Sequence, residues 1–230
     1  MKNRFALKPI RTTLTMRELV YEQLHNAIIN GVFKPGDRLV ERELANIVGV
    51  SKTPVREATR QLEQEGLVQI VPYKGIIVTE LSFTQVKEVY DLRSLLDGFA
   101  SYLAAKKATE EEIESLHDIA THFTKAVQEK NLEESFKLDV KFHDLISDAS
   151  EHEFLKRLQS IVRAQSSLAR GLSMPFHSDK TLEEHQAILE GIKNRNPELA
   201  REAAKKHVAS VWKVAATRFK KANDLNNMID

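Results

Sequence analysis

The sequence predicts a mainly α fold, with an N-terminal winged helix-turn-helix followed by a C-terminal all-α helical bundle. Three observations lead there. Five of the eight glycines and four of the six prolines fall before residue 76, so the turns are concentrated early. Past Leu81 the apolar residues recur almost continuously at three- and four-residue steps, the signature of amphipathic helices. Between these regions two apolar runs, 67–71 and 76–79, flank Pro72-Tyr73-Lys74-Gly75 and read as short strands around a tight turn.

Taken in order, Met16, Leu19, Val20, Leu24, Ala27 and Ile28 make a helix from Thr15 that stops at Gly31 and Pro35-Gly36. A short helix starts near Glu41 with Leu44, Ile47 and Val48 on one face, and Gly49-Val50-Ser51 breaks it. Ser51 stands where it can cap the next helix. Pro54 falls in that helix's first turn, where a missing N–H is harmless, and Val55, Ala58 and Leu62 form its buried stripe up to Gly66. Two helices joined by so short a break, with a hairpin behind them, are a helix-turn-helix with a wing. Six further helices follow at about 83–106, 109–129, 131–149, 152–172, 178–193 and 197–224. Ser82 and the pair Thr109/Glu112 mark two of their starts, and Pro175 and Pro197 lie at breaks. The expected organisation is a flexible arm over 1–14, the winged unit over 15–80 and the helical unit over 81–230, with almost no linker near Thr79–Phe83.

The chain has 230 residues, 42% of them hydrophobic, enough for a sizeable core. Its 34 basic and 33 acidic residues nearly cancel, so any nucleic-acid contact has to come from a local patch. Residues 1–80 hold 12 basic against 9 acidic groups, and 81–230 hold 22 against 24. The absence of cysteine excludes a disulfide scaffold, a thiol nucleophile and thiolate metal sites. Neither a GxGxxG nor a GxxxxGK[ST] loop occurs, against a dinucleotide or P-loop enzyme. No run approaches the about 18 apolar residues of a membrane span, and the start of the chain has no signal-peptide pattern, so a cytoplasmic location is expected.

Pro35-Gly-Asp-Arg-Leu-Val-Glu-Arg-Glu-Leu-Ala45, Gly49-Val-Ser-Lys-Thr-Pro-Val-Arg-Glu-Ala58 and Leu62-Glu-Gln-Glu-Gly-Leu67 closely resemble the winged helix-turn-helix of GntR-type bacterial transcription regulators. The resemblance implies that the helix from Ser51 enters the major groove of double-stranded DNA and the wing reaches an adjacent groove. Arg42, Lys52, Thr53 and Arg56 match the family's DNA-contacting positions, and Tyr73, Lys74 and Gly75 its wing tip. Helical spacing agrees, because residues 52, 53 and 56 share one side when Val55, Ala58 and Leu62 pack inward. Arg56 can then contact guanine O6 and N7 as a fork, while Arg42 can grip a phosphate. Considered singly, each of these charges could merely solvate a helix. A dimer on a palindromic operator is expected, because one such helix reads few base pairs.

In the helical half, Asp91-Leu-Arg93, Leu96-Asp97, Asp139-Val-Lys-Phe-His143, Glu184-His185-Gln-Ala-Ile188 and Ala203-Ala-Lys-Lys-His207-Val208 resemble, in order and spacing, the ligand-sensing FCD domain of the FadR branch in its six-helix form. Asp139 and His143 are four apart and share a helix face, while His185 and His207 fall on apolar, core-facing stripes. The plain alternative for each histidine is a buried neutral ring bonded to a neighbour. Asp139, His143, His185 and His207 match the family's metal positions, which implies a divalent metal ion such as zinc, nickel, manganese or iron. His25, His117, His122, His152 and His177 match none and read as surface or local-structure residues. Arg93 lies within an apolar stripe and is either paired internally with Asp97 or, as the resemblance implies, a clamp for the carboxylate of a small organic acid effector. The leading reading is a ligand-responsive regulator. A metal-dependent hydrolase or isomerase carrying a DNA module, and a pure metal sensor, are the alternatives; no His-Glu-x-x-His spacing supports the first.

Overall fold

The computed structural model describes residues 15–170 and 179–226, so the expected N-terminal arm and His177 lie outside the described residues. Helix α1 (Met16–Ile29) opens on a capping box in which Thr15 Oγ1 accepts from the Glu18 amide and the Glu18 carboxylate accepts from the Thr15 amide. Its buried stripe is Val20, Leu24 and Ile28; Met16 and Leu19, expected there, are exposed. Strand β1 (Arg38–Leu39) is followed by α2 (Glu41–Val48) and α3 (Lys52–Gln64), then by β2 (Val68–Val71) and β3 (Gly75–Val78). The sheet has the order β1-β3-β2, antiparallel throughout, with Arg38 opposite Ile77 and Val68 opposite Val78.

Two details differ from the sequence reading. Ile47 is 78% exposed, because a two-turn helix anchored by Leu44 and Ala45 has a narrow buried face and residue 47 lies outside it. Ser51 occupies the N-cap position of α3 with extended backbone but makes no side-chain capping bond. Val55, Ala58 and Leu62 do form the buried stripe of α3, each with no exposed surface.

Helices α4 (Phe83–Lys107), α5 (Glu110–Gln128), α6 (Leu132–Ala149), α7 (Glu153–Arg170), α8 (Asp179–Lys193) and α9 (Pro197–Asn226) complete the described chain. Capping boxes at Ser82/Gln85 and Thr109/Glu112 start α4 and α5, Asn131 caps α6, and His152 Nδ1 accepts the Leu155 amide at the start of α7. Phe142, Leu116, Ile188, Leu189 and Ile192 fill the bundle core, each side chain removing enough apolar surface from water to contribute about 1.5–3 kcal/mol. Gly191 lets α9 approach α8, since a Cβ there would lie 2.5 Å from the backbone nitrogen of Ala200. No helix among the described residues is long and apolar enough to cross a membrane.

Helix α7 belongs to both cores. Leu155 packs in the bundle, whereas Ala164 and Leu168 pack among the buried residues of α1, α3 and the sheet. Beside them Gln165 Nε2 donates to the carbonyl of Glu65, at the end of α3, over 3.2 Å.

Candidate functional sites

On the winged unit, Lys52, Thr53 and Arg56 are exposed on the first two turns of α3, opposite its buried stripe. Arg42 is exposed on the first turn of α2. Tyr73 and Lys74 stand exposed at the hairpin tip, where Lys74 N donates to Val71 O and Tyr73 takes a positive φ of 64°. Gly75, at φ +89°, leads the chain into β3, a conformation costly for a residue with a Cβ. Arg38 lies against this wing. Its Nε is 3.6 Å from where a Cβ on Gly75 would sit.

One contact on this face has no sequence signal. Glu41, at the start of α2, receives Arg56 Nε at 3.2 and 3.3 Å and Arg56 Nη2 at 3.0 Å. Fifteen residues separate the pair, and the helix-turn-helix bend alone brings them together.

In the bundle, α6 supplies Asp139 and His143, α8 supplies His185 and α9 supplies His207, all buried. One candidate donor atom from each lies within 4.8 Å of the others. Asp139 Oδ1 is 3.3 Å from His185 Nε2 and 3.8 Å from His143 Nε2. His185, only 1% exposed, stacks on Phe142 with centroids 4.6 Å apart, and among the described residues neither of its ring nitrogens has a hydrogen-bond partner, nor has His143 Nε2. Buried polar atoms are rarely left so, and His143 Nε2 with one nitrogen of the His185 ring, beside the Asp139 carboxylate, could serve as ligands to a cation.

The surroundings suit that role. Burial pushes the His143 imidazole well below its ordinary range, against the opposing pull of Asp139. Burial likewise lowers His207, against its hydrogen bond to Glu184. Both rings are thus neutral near pH 7, the form that offers a lone pair to a metal. His207 Nδ1 lies 3.2 Å from Glu184 Oε2, a carboxylate that orients the ring. Glu184 was visible in sequence only as the neighbour of His185, with nothing linking it to residue 207.

Arg93 is 4% exposed, and its Nε donates to Asp97 Oδ2 over 3.1 Å. The internal ion pair therefore forms. Nη1 of the same guanidinium is buried without a hydrogen-bond partner among the described residues, as is the hydroxyl of Tyr90 one turn earlier on α4. Burial works against the charge on Arg93, but Asp97, Tyr90 and Asp139 outweigh it and raise the pKa. Behind it, Asp97 also accepts from Gln159 Nε2 at 2.8 Å and lies 3.6 Å from Arg163, which donates to the carbonyl of His143 at 3.1 Å. Gln159 and Arg163 are both on α7, so that helix touches this cluster as well as the end of α3.

Two family models match the chain, "Bacterial regulatory proteins, gntR family" over residues 16–78 and "FCD domain" over residues 88–210. The chain belongs to the gntR family of bacterial regulatory proteins. The HTH-type transcriptional regulator YdhC of Bacillus subtilis is 37% identical over 191 residues, which cover 82% of this chain and 84% of that protein. The HTH-type transcriptional repressor RspR of Escherichia coli is 26% identical over 204 residues, covering 88% and 90%. Among solved structures, E. coli McbR/YncC superposes with a TM-score of 0.81 at 20% identity, covering 90% of this chain and all of that one. A GntR regulator from Rhodococcus sp. RHA1 reaches 0.67 at 21% identity. These structural likenesses establish the shared fold. Membership in the gntR family makes the chain a DNA-binding transcriptional regulator and not an enzyme, which sets aside the hydrolase or isomerase alternative.

Proposed function

We propose that this gntR-family regulator works in the cytoplasm as a homodimer, grips a palindromic DNA operator through two copies of α3, and is modulated by a small carboxylate bound at a metal-containing site in its helical half. The division into a winged unit over 15–80 and a sensing unit over 81–230 belongs to this reading. On the DNA side, Arg56 supplies a fork to guanine, with Lys52 and Thr53 beside it. Arg42, Tyr73, Lys74 and Gly75 contact backbone or an adjacent groove. Leu92, Leu95 and Phe99 on α4 and Phe154 and Leu158 on α7 are exposed apolar side chains on two helices that pack together, which supports self-association on this side.

The observation that carries the effector reading is the set of orphaned buried groups: His143 Nε2, both nitrogens of His185, and Arg93 Nη1. Asp139, His143, His185 and His207 would hold a divalent ion, whose positive charge and spare coordination positions attract carboxylate and hydroxyl oxygens. Asp97 fixes one edge of the Arg93 guanidinium and leaves Nη1 to meet a carboxylate oxygen. Arg93 is close enough to influence His207 electrostatically, so both halves of the pocket can act on one short molecule. Hydroxy acids, sugar acids and dicarboxylates fit this chemistry; a fatty acyl chain does not.

Calorimetry on the metal-loaded protein with a panel of short hydroxy acids and dicarboxylates tests the reading. An acid should bind, and chelation or Arg93→Ala should each weaken it strongly. Glu184→Gln should lower metal affinity about 10- to 100-fold, because it releases the orientation of His207. Equal acid binding to the chelated protein and to Arg93→Ala would place the pocket elsewhere. Metal binding without any acid response would leave the pure metal sensor.

A further inference from the structure

We propose that Glu41 is the positioning residue for Arg56, and that the Glu41–Arg56 contact sets how sharply the recognition helix discriminates guanine. The inference rests on the groove placement of α3 proposed above.

A guanidinium has five N–H donors in a fixed plane. Glu41 accepts from Nε and from Nη2, and so occupies the side edge of the group. The end edge, made by Nη1 and the remaining N–H of Nη2, stays available. That end edge is the fork that matches O6 and N7 of guanine. Glu41 is itself held in place. It begins α2, whose Leu44 and Ala45 are buried in the winged core, and its carboxylate sits at the positive end of that helix. A long, otherwise freely rotating arginine is thereby fixed before DNA arrives, and less conformational freedom remains to be lost on binding.

The pair is solvent-exposed, 56% and 28% for the two side chains, where an ion pair contributes little to stability. Its cost lies elsewhere. Glu41 sets a negative charge on a surface that approaches phosphates, which opposes non-specific binding. Removing that charge should therefore strengthen binding to arbitrary DNA while weakening base discrimination. Damage to the fold would lower both.

The test uses the full chain and a duplex selected by the wild-type protein from a random-sequence pool. Arg56→Ala identifies the guanine that Arg56 reads, as the position whose preference is lost. Affinity is then measured for the selected duplex, for the same duplex with that guanine pair replaced by an adenine pair, and for the unselected pool. Wild type should discriminate guanine from adenine by about tenfold or more. In Glu41→Gln the ratio should fall to about a third or less, with pool affinity equal to or above wild type. Glu43→Gln, which removes a charge from the same helical turn without touching Arg56, should raise pool affinity and keep the ratio. Glu41→Asp restores the charge but is one methylene too short, so pool affinity should return to wild type while the ratio stays low. Preferences unmoved by Arg56→Ala would overturn the groove placement and this proposal with it. Preferences lost in Arg56→Ala but retained in Glu41→Gln would overturn this proposal alone.

Discussion

At the scale of single residues, Asp97 has the most demanding surroundings. It is buried between Arg93 and Arg163 and accepts from Gln159. Burial raises a carboxyl pKa, but Arg163 and Arg93 overcome it and hold Asp97 well below the usual carboxylate range. A depressed native pKa means that the stabilisation is complete above the unfolded value of about 3.9 and is lost as pH falls below it toward the native value. Asp97→Asn should therefore be less stable by about 3–5 kcal/mol at neutral pH, because the buried Arg93 guanidinium loses its paired anion. Thermal melts between pH 6 and 3 should show the gap between wild type and variant narrowing with acid; a constant gap would contradict this assignment. The Arg93–Asp97 pair was legible in sequence, being one helical turn apart. Glu41–Arg56 and Glu184–His207 were not, since partners 15 and 23 residues apart share no local periodicity. The four candidate metal ligands were recognisable through the family's pattern, and the fold brings all four within reach of one ion.

Elements were legible where their ends are set locally. Capping boxes at Thr15, Ser82 and Thr109 are short-range patterns, and those helices begin where the patterns place them. Strand β1 was missed because two residues carry no periodicity and its pairing to β3 spans almost forty positions of chain. The double role of α7 was equally hidden, since amphipathic spacing shows that a helix is buried without showing against what. Arg163 touches the cluster through the His143 carbonyl and Asp97, and two residues later Gln165 reaches the end of α3. If α7 transmits the ligand signal, Gln165→Ala should leave DNA affinity in the absence of acid near wild type and shrink the change that acid produces. Leu168→Ala, by contrast, should destabilise the winged core by about 2–5 kcal/mol. Competition anisotropy with and without acid reads the first effect, and an undiminished response in Gln165→Ala would exclude this route.

For the whole molecule, the proposed function requires two recognition helices at a fixed spacing, so the proposed dimer is as central to it as either site. Sedimentation at micromolar concentration should give a dimer, and Leu95→Asp, which charges the exposed apolar face of α4 and α7, should give a monomer; an unaltered dimer in the variant would move the interface off this face. A bound acid can change operator affinity only by its differential affinity for two arrangements of the dimer, a coupling that typically amounts to about 5–150-fold. On the proposed function, the Asp139–His143–His185–His207 cluster, with Arg93, controls DNA binding. The most direct test is the anisotropy of a labelled, selected duplex titrated with metal-loaded protein, with and without each short carboxylate, for wild type and His207→Ala. At least one acid should shift wild-type affinity by about fivefold or more and leave His207→Ala unmoved. Affinity unchanged by every acid in wild type, or an equal shift in His207→Ala, would contradict the proposed function.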